Sequence, residues 1–169
     1  MERKSLPEIT PEISFEWRCF EQLSTKELYD VLRFRQSIFV VEQGSPYPDL
    51  DGFDHTARHL LLREGKALAG YLRLAPLPGP PASVGIGRVA LVPHLRGRGL
   101  GRMLMDQALL LCRGDYPGRP LALRAQRHLA PFYQSFGFRV TSEPFGDFGV
   151  THVEMELQPP RAPEGDRKQ

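Results

Sequence analysis

Apolar and polar residues alternate from Ile13 to Phe20, and a period of two predicts a strand there. The period then changes. Ser24-Thr-Lys-Glu27 is a capping box, in which hydroxyl and carboxylate satisfy two backbone donors at a helix start. Leu28, Val31, Leu32, Arg35, Ile38 and Phe39 follow at helical spacing. A loop rich in glycine, proline and aspartate covers about residues 44–57. Strands are predicted at about 58–64 and 67–75, joined by a turn at Gly65. After the loop Leu77-Pro-Gly-Pro-Pro81, another strand runs from Val84 to Val92. Met103, Leu104, Gln107, Ala108 and Leu111 place a helix that opens near Leu100 and ends by Gly114. Leu121–Ala125 reads as a short buried strand, and Leu129–Phe136 as a short helix stopped by Gly137. Two last strands fit at about 138–142 and 150–157.

Strands outnumber helices and lie between them. This order predicts an α/β layer architecture, an α+β mixed sheet flanked by helices. One domain is expected over residues 13–158, with 1–12 and 159–169 as flexible tails.

Composition narrows the chemistry. A chain of 169 residues with 41% hydrophobic and 25% charged residues is that of an ordinary globular domain with one core. A net charge of +2 is too small to argue for nucleic acid. Arg88, Arg96, Arg98 and Arg102 instead cluster locally, as at an anion site, without the interleaved aromatics of a nucleic-acid groove. Cys19 and Cys112 lie far apart in apolar contexts and read as free thiols in a reducing compartment. No apolar leader and no stretch approaching the ~18 residues of a membrane span is present, so a cytoplasmic location without membrane partners is expected. Monomer and homodimer both stay open.

The densest chemical signal is Arg96-Gly97-Arg98-Gly99-Leu100-Gly101, between an apolar strand and a helical pattern. Unpaired N–H groups at a helix start carry partial positive charge, and glycine lets the backbone come close to an anion. A P-loop is excluded because Gly101 is followed by Arg102-Met103 and not Lys-Ser/Thr. Gly85-Ile-Gly87-Arg-Val-Ala90 matches a dinucleotide fingerprint in letters, but it runs on into a strand. Gly85 and Gly87 are therefore read as strand or bulge glycines.

Arg96-x-x-Gly99-x-Gly101, with Leu91-x-Pro93 upstream, resembles the acetyl-CoA signature of the GNAT superfamily of N-acetyltransferases. Gln126-x-x-Leu129-x-x-x-Tyr133-x-x-x-Gly137-Phe138 is similar to a second element of that family. Gln126 stands there for the usual Asn and Leu129 for the usual Ala. Phe39-Val-Val-Glu42-Gln43, Pro46-Tyr47-Pro48-Asp49-Leu-Asp51, Arg58-His59 and Gly87-Arg88-Val89 resemble the ElaA-like branch. The resemblance spans about residues 13–157 and implies the GNAT fold.

The resemblance also implies transfer of acetyl from acetyl-CoA to an amine, on a small molecule or a protein, within a ternary complex. Arg96, Gly97, Arg98, Gly99, Leu100, Gly101 and Arg102 would hold the pyrophosphate. Val89, Ala90 and Leu91 would pair with the pantetheine amides, and Gln126 would contact the same arm. An N–H near Leu91 would polarise the thioester carbonyl. Tyr133 is the candidate acid for the departing thiolate.

For the base that takes the amine's proton, Glu42 comes first, then His59 and His152. Asp49, Asp51 and Asp54 either attract a cationic amine or cap their loop. Calcium-loop spacing fails there, and His55-x-x-x-His59 lacks further ligands, so no metal is expected.

Two other functions fit in part. Leu32 to Asp54 is similar to the N-terminal region of acyl-homoserine-lactone synthases, which do not characteristically carry the Arg-x-x-Gly-x-Gly loop. A non-catalytic CoA-binding domain is the other.

Overall fold

The computed structural model describes residues 11–159. The stretches read as tails fall outside the described residues except for Pro11, Glu12 and Pro159. Eight strands form one sheet: β1 (Ile13–Cys19), β2 (Arg58–Glu64), β3 (Ala67–Leu77), β4 (Ser83–Leu91), β5 (Leu121–Gln126), β6 (Arg139–Val140), β7 (Phe145–Asp147) and β8 (Val150–Leu157). The order is β1-β2-β3-β4-β5-β8-β6, with β7 also on β8. Among the described residues only β4 and β5 pair in parallel, so the sheet is mixed, as expected.

Helix α1 (Thr25–Gln36) starts at the Ser24 capping box, both of whose hydrogen bonds form. A cap of this kind contributes about 1 kcal/mol. Past Gln36 the helix widens into a π-helical turn over Ser37–Glu42. Helix α2 (Leu100–Asp115) crosses between the two parallel strands, and α3 (Ala130–Gln134) follows β5 through a 3-10 turn at Arg127–Leu129.

The two faces of the sheet carry different cores. Leu60 and Leu62 of β2, Leu72 and Leu74 of β3, and Leu121 and Leu123 of β5 pack with Leu104, Met105 and Ala108 of α2. On the other face Leu61, Tyr71 and Ala90 pack with Val31, Phe34 and Ile38 of α1 and its π turn. Strand alternation deals odd and even residues to opposite faces.

In β4 that alternation slips. Val84 and Ile86 belong to the α2 side, yet Ala90 belongs to the α1 side. A bulge causes the slip: Tyr71 pairs with Ala90 and Arg73 with Gly87, so Leu72 opposes both Arg88 and Val89. Arg88 takes φ +57, left-handed backbone rare for a non-glycine residue within a strand. Gly87 and Gly85 are strand glycines beside this bulge.

Strand β7 escapes the sequence pattern because three residues flanked by Pro144, Phe148 and Gly149 carry no readable period. The strand expected over 138–142 shrinks to Arg139–Val140, as its neighbours are taken up by the Gly137 turn and the link to β7.

Candidate active site

The bulge opens the sheet. Parallel pairing between β4 and β5 is confined to Val84–Leu121 and Gly85–Ala122, although both strands run on, to Leu91 and Gln126. Their carboxyl ends diverge, with edge groups exposed in the gap. The ladder shows which ones. Val92 N–H donates to Ala69 C=O on β3 at 2.9 Å, so alternation turns the Leu91 N–H to the opposite edge, into the gap. Leu91 and Val89 thus face the gap as the sequence suggests. Ala90 does not: its polar groups turn to Tyr71 on β3, and it contributes only a methyl to the α1 side. Ligands in open α/β sheets sit in such a crevice beyond the strands' carboxyl ends.

The glycine loop lies at the mouth of this gap. Arg96 N–H donates to Pro93 C=O and Met103 N–H to Gly99 C=O, at 3.2 Å each. Between them, the N–H groups of Gly97, Arg98, Gly99, Leu100, Gly101 and Arg102 donate to no other described residue. Gly97 and Gly99 hold φ +71 and +80, and a Cβ on either would meet nothing within 4 Å. Backbone conformation, not crowding, is the reason for glycine there. Gly101 is held to glycine by neither: its φ is not positive, and Phe132 and Leu91 lie at ordinary contact distances, 3.8 and 3.9 Å, from the Cβ it lacks. Unpartnered donors and the positive end of the α2 dipole are together the arrangement that could receive a polyphosphate.

The loop arginines divide the work differently from the sequence expectation. Arg98 is exposed at the loop tip. Arg102 is drawn to α3, donating to Ser135 Oγ at 2.8 Å and lying 4.5 Å above the Phe136 ring. Arg96 is paired within the protein itself. Its Nε donates to Leu91 C=O at 3.0 Å, and its two terminal nitrogens hold Glu42 at 2.7 and 3.0 Å. It clamps the π turn to the end of β4.

Tyr133 stands on the α2 side, its ring buried edge-on between Phe132 and Phe138. Burial pushes its phenol up to about 12. The hydroxyl bonds to no other described residue, and none of the described side chains carries a buried N or O without a partner, so this oxygen opens on solvent. A buried ring with an unclaimed, protonated hydroxyl is free to donate to a ligand.

The three candidate bases fare unequally. Glu42 has both carboxylate oxygens on Arg96. His59 is a buried structural residue: Tyr71 hydroxyl donates to Nδ1 at 2.6 Å, and Nε2–H donates to Asp54 C=O at 3.0 Å. Burial holds its pKa below the ordinary histidine value. Both of its nitrogens are engaged and its ring is buried, so it has no nitrogen free to act as a base, which corrects the sequence expectation. In His152, Nδ1–H donates to Val150 C=O at 3.0 Å, which leaves Nε2 with its lone pair. His152 pairs in register with Gln126 on one side and Phe145 on the other. Val153 and Met155 point to the α2 core, so His152 and Gln126 look out from the α1 side.

Asp49, Asp51 and Asp54 do not await a cationic amine. All three are bonded to Arg35, Arg73 and Arg88. No local spacing announces this pairing, because those arginines come from α1, β3 and β4. Gly70 was also missed: a Cβ there would lie 2.7 Å from Leu91 Cδ2, so Leu91 can lie across β3 only above a glycine. Among the described residues no three His, Cys, Asp or Glu side chains gather as metal ligands do, and no helix is long and apolar enough to cross a membrane.

Comparison with known proteins gives one answer at sequence and structure level. A family model described as the acetyltransferase (GNAT) domain matches residues 38–159. Protein ElaA of Escherichia coli strain K12 is 40% identical over 144 residues, covering 83% of this chain and 94% of that one. Its crystal structure superposes with a TM-score of 0.82, covering 87% of this chain and all (100%) of that one. An acyl-CoA N-acyltransferase from Pseudomonas aeruginosa is 33% identical, with a TM-score of 0.78 over 86% of this chain and 99% of that one. A CoA-dependent acyl-homoserine lactone synthase, solved with SAM and isopentyl-CoA, has a TM-score of 0.73 at 20% identity, over 89% of this chain and 85% of that one. The last likeness is one of fold.

Proposed function

The chain belongs to the GNAT acetyltransferase family, and from that premise we propose that it transfers acetyl from acetyl-CoA to an amine by direct attack. The observation that carries this reading is the run of unpaired amides from Gly97 to Arg102 at the mouth of the β4–β5 gap. The loop amides bind the pyrophosphate, with Arg98 adding charge. Edge groups of Val89 and Leu91 take the pantetheine arm as an added strand, and Gln126 lines the opposite bank.

Holding thioester and amine together converts a bimolecular reaction into an effectively unimolecular one, worth up to about 7–11 kcal/mol of barrier. The Leu91 N–H, facing the gap, stabilises the oxyanion as the amine nitrogen adds to the thioester carbon. The C–N bond forms and the C–S bond breaks. Tyr133 gives its proton to the leaving sulfur from the α2 side. From the α1 side, His152 Nε2 takes one proton from the acceptor's ammonium and so frees the nitrogen lone pair for attack; the second proton, lost as the amide forms, returns to the Tyr133 oxygen. Glu42 acts here as the partner of Arg96 and not as the base. Free Cys19 and Cys112 suit a reducing, cytoplasmic setting.

Calorimetric titration with acetyl-CoA and, separately, S-adenosylmethionine tests the reading, followed by thiol release from acetyl-CoA across an amine panel. Acetyl-CoA binding with amine-dependent thiol release is expected. Tight binding of S-adenosylmethionine alone would point to a synthase, and acetyl-CoA binding without turnover on any amine to a non-catalytic CoA-binding domain.

A further inference from the structure

Six charged side chains close a ring on the α1 side of the sheet. Arg35 Nε donates to Asp49 Oδ2 at 2.8 Å, and Arg88 Nε donates to Asp49 Oδ1 at 2.6 Å. Arg88 reaches Asp51 at 3.2 Å, and Arg73 donates to Asp51 Oδ1 at 2.7 Å. Arg73 and Arg35 then meet on Asp54 Oδ1, at 2.9 and 2.6 Å, which completes the circuit. Charges alternate around it and balance. Arg35 is wholly buried, and Asp49, Asp54 and Arg73 are nearly so. The Asp49 carbonyl accepts two further bonds, from Arg35 and Arg88, at 2.8 Å each.

Buried ion pairs are poor stabilisers compared with apolar packing, because desolvation offsets most of their attraction. What such a ring does supply is position. Its three aspartates lie within six residues of one loop, while its arginines reach in from α1, β3 and the β4 bulge. Arg88 is the residue at φ +57, and Tyr47 of the same loop packs under its guanidinium at 4.9 Å. Nothing else in β4 favours left-handed backbone at that point, since the adjacent Gly87 carries no positive φ.

We propose that the Arg–Asp ring holds the β4 bulge, making Asp49 and Arg88 positioning residues for the strand edge that receives the acyl-CoA arm. Without the ring, β4 relaxes toward regular pairing, and Val89 and Leu91 lose their aim into the gap. The link to acyl-CoA rests on the function proposed above; the link to the bulge does not.

Asp49→Asn keeps the shape and removes one charge. Hydrogen exchange of the full-length chain is expected to quicken tenfold or more over residues 86–92, with less than threefold change over 58–64 and 121–126. No change at 86–92, or equal quickening everywhere, overturns the proposal. Should Asp49→Asn fail to fold, Arg88→Gln carries the same comparison, since it keeps a side chain that resists φ +57 and loses only the guanidinium that grips the loop. A second arm measures affinity for acetyl-CoA against 3′-phospho-ADP, which occupies the glycine loop alone. In the variant, affinity for 3′-phospho-ADP stays within twofold while that for acetyl-CoA falls at least fivefold. Equal losses for both ligands overturn the positioning role. If the unaltered chain binds neither ligand, the proposed function falls, and the exchange arm still decides whether the ring holds the bulge.

Discussion

Replacing Tyr133 by phenylalanine removes one oxygen and little else, and the structure fixes what that oxygen does for the fold. The ring is 8% exposed and packed edge-on against Phe132 and Phe138, contacts a phenylalanine keeps. Its hydroxyl bonds to no other described residue. A typical protein hydrogen bond contributes about 0.5–1.5 kcal/mol, and none is lost here. Stability should therefore change by less than about 0.5 kcal/mol, whereas Tyr133→Ala would empty a core site at about 3–5 kcal/mol. With the phenol pushed up to about 12, it holds its proton throughout the neutral range; passing it to a thiolate of ordinary thiol pKa near 8.5 is uphill in isolation and is driven by C–S cleavage and by recovery of the amide nitrogen's proton. Removing a positioned general acid lowers rates by about 10²–10⁴, or roughly 2.7–5.5 kcal/mol of transition-state stabilisation. Urea melts, acetyl-CoA titration and single-turnover thiol release measure the three quantities separately. The expected pattern is unchanged stability, acetyl-CoA affinity within threefold, and turnover down at least a hundredfold. Turnover within twofold of the unaltered chain would refute the role of Tyr133.

Three further outcomes follow from local geometry. Burial keeps folded His59 neutral below its ordinary value near 6.5, so on acidification the unfolded chain takes up that proton first and stability falls below about pH 6.5. Urea melts at pH 7.5 and 5.5 should show this loss, and His59→Gln should remove much of it while kcat at pH 8 stays within threefold; an unchanged slope refutes the assignment. A second acid loss should survive in that variant, between about pH 4 and 2, because Arg73 and Arg88 hold the Asp51 carboxyl down at about 2. In the glycine loop, Gly99→Ala must force alanine to φ +80 at roughly 1–2 kcal/mol or relax the loop and turn its amides away. Acetyl-CoA affinity should drop tenfold or more, while Gly101→Ala, whose Cβ meets only ordinary contacts at 3.8–3.9 Å, should stay within threefold. Equal effects at the two glycines would refute the division of roles.

Features written within a single element were open to sequence reading. The Ser24 box, the apolar stripe of α2 and the Arg96–Gly101 loop each depend on neighbours a few residues away, and each stands where the spacing puts it. Candidate bases were not readable in that way. Glu42, His59 and His152 look alike as letters, and their difference lies in partners far along the chain: Arg96 for the first, Tyr71 for the second, a free Nε2 for the third. The aspartates of the 44–57 loop posed the same problem, since alternation and spacing say nothing of which arginines converge on them.

By itself, then, the amino-acid order determined most element types, the mixed sheet and a glycine-rich helix start, because hydrophobic period, capping and glycine conformation act over one to four residues. Tertiary structure alone decided where that helix start opens. One extra residue at Arg88, gripped by the ring through Asp49 and Asp51, shifts β4 by a single step and parts it from β5. A bulge arises from the balance between strand pairing and long-range ion pairs, and that balance has no local signature.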